Sequence, residues 1–82
     1  MNIDYIINIL NLLEIEDPEV CFAKLKDHID LRNKMMSSMY YEITQDECYA
    51  IAIRSYQLGY DKQKLLSFCD KNRLDYIQYL IT

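Results

Sequence analysis

"TQDECYAIAIRSYQLGYD", residues 44–61, reads as one complete helix with a start, a stop and hardly any wet side. Thr44 followed three positions later by Glu47 has the form of a capping box. In it the Thr hydroxyl accepts from the Glu47 backbone N–H, and the Glu47 carboxylate reaches back to the Thr44 N–H. Gly59 can take the left-handed conformation that ends a helix, and Asp61 can cap the next one. On a helical wheel at about 100° per residue, Asp46, Glu47, Ala50, Arg54 and Gln57 cluster within roughly 100° of arc. Cys48, Tyr49, Ile51, Ala52, Ile53, Ser55, Tyr56 and Leu58 occupy the rest, far more than the single stripe a surface helix needs. A helix over about 45–58 must then be covered on most of its circumference. Either it is the central element with the others packed round it, or one of its sides is left for a partner.

Working outward, Ile3, Ile6, Ile7, Leu10 and Leu13 follow helical spacing and predict a first helix over about 3–14, with Asn8 and Asn11 on its outer face. "EIEDPEV" breaks it. Asp17 suits an N-cap, Pro18 the first helical position, and Glu19 the positive end of the helix dipole. Phe22, Leu25, Ile29, Met36, Met39 and Ile43 continue the apolar spacing with a gap at Arg32. That predicts one long second helix to about Tyr41, a bend near "DLRNK" being the alternative. The tail "KQKLLSFCDKNRLDYIQYLIT" reads as two short helices meeting near Asn72 and Arg73. Only "YAIAI" alternates as a strand would, and the capping box outweighs it. The fold class expected is all-α: a compact bundle of four to five helices around a central helix at about 45–58, with residues 1–82 forming a single helical domain.

Composition narrows the function. At 82 residues the chain holds one domain at most, and 51% hydrophobic residues with one Gly and one Pro argue against disorder and against turn-rich β architecture. The apolar runs are too short to span a bilayer, and the acidic start "MNIDYII" lacks the basic region of a secretion signal, so a cytoplasmic protein without membrane contact is expected. Cys21, Cys48 and Cys69 are odd in number and unpaired in spacing, which suits free thiols in a core. Richness in Asn, Ile, Lys and Tyr suits an AT-rich bacterial or phage genome. The one conceivable metal set is Cys21, His28, Cys48 and Cys69. Cys21 and His28 lie seven residues apart on one helix, about 10 Å along its axis, too far to share a zinc ion. His28 reads as a boundary residue beside Asp27 and Arg32. There is no Gly-rich phosphate loop, no nucleophile elbow and no H-E-x-x-H, so no enzyme, no cofactor and no small-molecule substrate is expected.

Residues 65–81, "LLSFCDKNRLDYIQYLI", resemble the second helix, turn and following first helix of ankyrin-type repeats. The T-P-L-H signature is missing, however, and no period of about 33 residues recurs upstream. The stretch from Asp46 to Asn72 resembles small helical-hairpin inhibitors of bacterial sporulation kinases in its acidic start and hairpin. Neither resemblance assigns a family.

Charge and tyrosine carry the functional expectation. Residues 1–23 hold Asp4, Glu14, Glu16, Asp17 and Glu19 without a Lys or Arg, and residues 35–53 hold Glu42, Asp46 and Glu47 likewise. Lys24, Lys26, Arg32 and Lys34 form one basic segment, and Arg54, Lys62, Lys64, Lys71 and Arg73 supply the remainder. Net charge is −4, and eight Tyr stand against two Phe and no Trp. Tyrosine combines contact area with a polar tip, as interfaces require. The expected function is a small acidic protein-interaction module: an inhibitor, immunity-type or adaptor protein whose partner is another protein or a second copy of itself. Glu14, Glu16, Asp17 and Glu19 would meet a basic site on that partner, including one that binds nucleic acid. Tyr40, Tyr41, Tyr49, Tyr56 and Tyr60 would anchor the contact. The alternative is a helix-turn-helix-like DNA-binding regulator using the C-terminal helices. Against nucleic acid as a partner, "LDYIQYLIT" offers Gln78 and Tyr79 but no Arg or Lys.

Overall fold

Residues 1–81 are described by the computed structural model, and five α-helices follow one another among them: α1 (Ile3–Leu12), α2 (Pro18–Lys34), α3 (Tyr41–Gln57), α4 (Lys62–Lys71) and the single turn α5 (Ile77–Leu80). The all-α bundle expected from the sequence is the observed architecture. α3 is its axis and packs against each of the other four helices. The Asn2 N–H donates to Asp46 Oδ2 at 3.1 Å, and the Arg54 guanidinium donates to the Leu10 and Leu13 carbonyls, so α1 runs parallel to α3. The Cys21 thiol donates to the Ile51 carbonyl and Arg32 Nη1 to Gln45 Oε1, so α2 runs antiparallel. α4 returns the same way, ending where Gln45 Nε2 donates to the Arg73 carbonyl.

One core joins them. Ile6 enters from α1; Cys21, Phe22, Leu25 and Ile29 from α2; Leu65 and Cys69 from α4; Leu74, Ile77 and Ile81 from the C-terminal end. α3 contributes the unbroken buried run Cys48, Tyr49, Ala50, Ile51 and Ala52. A helix buried over five consecutive positions has neighbours all round it. Most of the wide apolar arc of this helix is therefore occupied by its own chain, the first of the two outcomes its wheel allows, with Tyr56 left exposed. The Phe22 ring meets Tyr60 edge-on at 4.2 Å and Phe68 at 5.0 Å, closing the core at the C-terminal end of α3.

The local signals hold at several places. Asp17 caps α2, its Oδ1 accepting from the Glu19 and Val20 N–H groups, with Pro18 at the first position. Gly59 has φ 94°, and Asp61 accepts from the Lys64 N–H at the start of α4. α4 and α5 meet across residues 72–76 as expected.

Four expectations are corrected. α2 does not run to Tyr41 but ends at Lys34, and residues 35–40 form a turn. There the Ser38 hydroxyl accepts from the Tyr40 N–H and the Ser38 carbonyl from the Tyr41 N–H, an alternative to helical pairing that serine readily offers. Thr44 is not a cap. α3 begins three residues earlier, and the Thr44 hydroxyl donates back to the Tyr40 carbonyl at 2.9 Å. Glu47 turns away from Thr44 to bind Tyr5 and His28. The polar arc of α3 is not its wet side either: Ala50 is fully buried and Asp46 only 6% exposed, because α1 lies over them. Finally, α1 stops at Leu12, and its inward residues are Ile6, Ile9 and Leu10, leaving Ile3 and Ile7 exposed.

Candidate interaction surfaces

The five tyrosines do not share a surface. Tyr49 is a core residue, 2% exposed; its hydroxyl accepts from the Tyr76 N–H, and burial raises its pKa. That removes it from any contact surface. Tyr41 is half-buried under the Arg32 guanidinium, 5.8 Å from its ring centroid, and Tyr60 is half-buried against Phe22. Tyr40 and Tyr56 are exposed, the latter beside the Lys62 ammonium. Tyr41 and Tyr56 lie fifteen residues apart on α3, about 22 Å along its axis. Tyr40 and Tyr41 therefore belong to one end of the bundle, and Tyr56 and Tyr60 to the other.

The acidic edge belongs to the second end. Glu14, Glu16 and Glu19 are exposed round the connection from α1 to α2, where the Leu13 carbonyl is held by Arg54 and Asp17 is engaged as the cap. From this edge a groove of about 570 Å³ runs along the outer face of α2, lined by Ile15, Val20, Ala23, Lys24, His28 and Leu31 with Asp27. Val20 is 57% exposed and Leu31 also stands out of the core. Helical spacing puts Val20, Ala23 and Leu31 on one side of α2 together with Lys24 and Asp27, and the apolar side chains of this face stay exposed among the described residues. The sequence reading missed this face because Val20 and Leu31 fall outside the Phe22, Leu25, Ile29 row that marks the core face.

His28 forms the inner wall of the groove. Its Nε2 lies 3.0 Å from Glu47 Oε1, while Glu47 Oε2 accepts from the Tyr5 hydroxyl at 2.8 Å. That bond, with burial and the nearby carboxylates of Glu47 and Asp46, raises the Tyr5 pKa. Glu47 thus ties α1 and α2 to α3 through one carboxylate. Cys21, Cys48 and Cys69 are all buried as free thiols, and His28 faces Glu47 instead of them. Burial pushes the thiols of Cys48 and Cys69 up to about 12 and also raises that of Cys21, which leaves them protonated and unreactive near neutrality. Among the described residues no three His, Cys, Asp or Glu side chains are grouped to hold a metal ion, and no helix is long and apolar enough to cross a membrane.

The opposite end carries a further apolar exposure: Met36, Met39, Tyr40 and Ile43 round the start of α3, with Met39 81% exposed. Beside them Asp46 Oδ2 is bonded to the Asn2 N–H, whereas its buried Oδ1 has no partner among the described residues. On the α2 side the same end forms a basic cleft about Arg32, Lys71 and Arg73. Comparison with family models, with curated protein sequences and with solved structures finds no match, so the functional reading rests on these surfaces alone.

Proposed function

We propose that the protein is a small interaction module, of the inhibitor, immunity or adaptor kind, that holds a basic amphipathic segment of another protein in the α2 groove. The observation that supports this reading is the groove in which Ile15, Val20, Ala23 and Leu31 stand beside Asp27, with the exposed carboxylates Glu14, Glu16 and Glu19 next to its Ile15 and Val20 end and Lys24 as its one cation among the described residues. A partner helix would bury its apolar face in the groove, and its Lys or Arg residues would meet the acidic edge. Such a segment is common in proteins that bind nucleic acid, so masking a nucleic-acid-binding site is one use of the module. The free thiols suit a reducing, cytoplasmic setting.

A direct test compares the wild-type chain with Val20→Glu and Leu31→Glu as immobilised bait in an extract of the source cell. Both residues are exposed, so each change should shift stability by no more than about 0.5 kcal/mol. A partner retained by the wild type and lost from both folded variants is expected; equal retention would remove the groove from the contact. Sedimentation of the purified chain decides whether the partner is a second copy.

The DNA-binding alternative needs a reading helix, and α5 is a single turn of four residues, about 6 Å long, whose exposed side chains are Gln78 and Tyr79. A gel shift with random duplex at low salt is expected to show no binding.

A further inference from the structure

Arg32 is 3% exposed and has no carboxylate partner among the described residues. A fully buried guanidinium without an anion is unusual, because removing its charge from water is compensated best by an opposite charge. Its donors reach neutral acceptors: Nη1 to Gln45 Oε1 and to the Asn72 carbonyl, Nε and Nη2 to Asn33 Oδ1. Four of the five N–H groups are used in this way, and one on Nη2 remains. Arg32, Lys71 and Arg73 line a cleft of about 360 Å³ with Asn33, Met36, Asn72 and Tyr41, none of them acidic. The side chains of Lys71 and Arg73 make no hydrogen bond or ion pair among the described residues. Their carboxylate neighbours in sequence, Asp70 and Asp75, line a separate hollow with Gln63 and Ser67.

Helix ends explain some of this charge. α2 and α4 both finish here, and cations near carbonyl ends are favourable. Arg32 already serves that role through the Asn72 carbonyl. Arg73 also follows the end of α4. It has φ 63°, the left-handed position that follows a helix end, with the Leu74 N–H donating to the Cys69 carbonyl at 2.9 Å. Glycine is the residue favoured there, and arginine carries a steric penalty. The turn is held in that conformation from outside, by Arg32 on the Asn72 carbonyl and Gln45 on the Arg73 carbonyl. A strained arginine, clamped so that its side chain lines a cleft with two other cations, is costly for the fold and useful to a bound anion.

We propose that this cleft between the end of α2, the start of α3 and the α4–α5 turn binds the phosphoryl group of a small phosphorylated ligand or of free phosphate. Three cations round one concavity suit a compact dianion, which accepts several charge-assisted hydrogen bonds at once. A nucleic acid backbone fits less well, since the chain as a whole carries −4 and repels an extended polyanion.

The test titrates the isotope-labelled full chain, followed by amide and Arg Nε signals, with inorganic phosphate, O-phosphoserine or a 20-base-pair duplex at constant ionic strength set with chloride. Saturable shifts at Asn72, Arg73 and the Arg32 side chain are expected with phosphate or phosphoserine. Tighter binding of phosphoserine identifies a monoester as the ligand, and tighter binding of phosphate the free ion. Lys71→Gln, an exposed substitution, and Arg73→Gly should each weaken binding at least tenfold. Arg73→Gly should also raise the thermal midpoint by relieving the left-handed strain, a combination that a purely structural role for Arg73 would not give. Three results would overturn the proposal: no saturable shift beyond that of chloride, unchanged binding in both variants, or duplex binding at these residues more tightly than either small anion.

Discussion

Arg32 stands where the row Phe22, Leu25, Ile29 asks for one more apolar residue. As a sequence letter it looks like a gap; in the fold it is a buried clamp joining α2 to Gln45 of α3 and to the carbonyl of Asn72. Truncation would strand those acceptors and open a cavity, so Arg32→Ala is expected to cost about 2–4 kcal/mol in urea unfolding. Arg32→Lys should recover less than half, since one ammonium cannot reproduce a fork that reaches Asn33, Gln45 and Asn72 together. The buried thiols give a second prediction at this scale. In the folded chain Cys48 and Cys69 are pushed from 9.0 to about 12, so above pH 9 the unfolded chain releases protons that the folded one keeps. Stability is then fully present below pH 9 and falls as pH rises towards 12, by up to about 1.4 kcal/mol per pH unit for each thiol. Denaturant midpoints between pH 8 and 11 would check this. Replacing both cysteines by Ala or Val should flatten the slope, and thiol-reactive probes should label these positions only as the chain unfolds.

At the scale of elements, α1 lies against α3, and besides the apolar packing of Ile6, Ile9 and Leu10 its attachment includes a short row of bonds. Asp46 holds its start through the Asn2 N–H, Glu47 holds the Tyr5 hydroxyl, and Arg54 holds its last carbonyls at Leu10 and Leu13. Arg54→Met keeps much of the stem but leaves those carbonyls to water. Amide exchange in α1 should quicken about tenfold or more while the α3 core amides change little, the signature of local opening. Uniform acceleration across the molecule would show that α1 opens only with global unfolding. This row also explains what the sequence could convey. The capped start of α2, the Gly59 stop and the central place of α3 were legible because they depend on local chemistry and on the sheer width of an apolar arc. The polar arc of α3 was misread because periodicity separates polar from apolar positions but does not say whether a polar group faces water or a neighbouring helix's backbone. The break after Lys34 was missed for a related reason: Met36 and Met39 keep the apolar spacing, and only the Ser37 and Ser38 pair, of which Ser38 bonds the backbone through its side chain, signals a turn. The α2 groove was illegible because an exposed apolar strip and a core strip look alike until one knows which has been covered.

Across the whole molecule, two charged surfaces lie at opposite ends of α3, each among charges of the other sign: Glu42 stands at the start of α3, and Lys62 and Lys64 just past its end. The basic cleft of Arg32, Lys71 and Arg73 lies at its beginning, and the edge of Glu14, Glu16 and Glu19 lies near its end. The helix is 17 residues long, about 25 Å, more than two Debye lengths at 0.1 M salt, so at that ionic strength the two ends act as separate fields. Glu14 and Glu16 make no hydrogen bond or ion pair among the described residues, unlike Asp17, which caps α2. Reversing both to Lys should therefore leave the thermal midpoint nearly unchanged, within about 0.5 kcal/mol per exposed site. If the proposed module meets a basic segment at this edge, the same double change should slow association with the partner severalfold, more at low salt than at high, with dissociation little altered. Val20→Glu should show the converse, faster dissociation, because it removes apolar area from the groove and leaves the acidic steering in place. Unchanged association in the folded Glu14→Lys, Glu16→Lys variant would confine the contact to the apolar side chains of the groove and leave Glu14 and Glu16 as solvated surface charges.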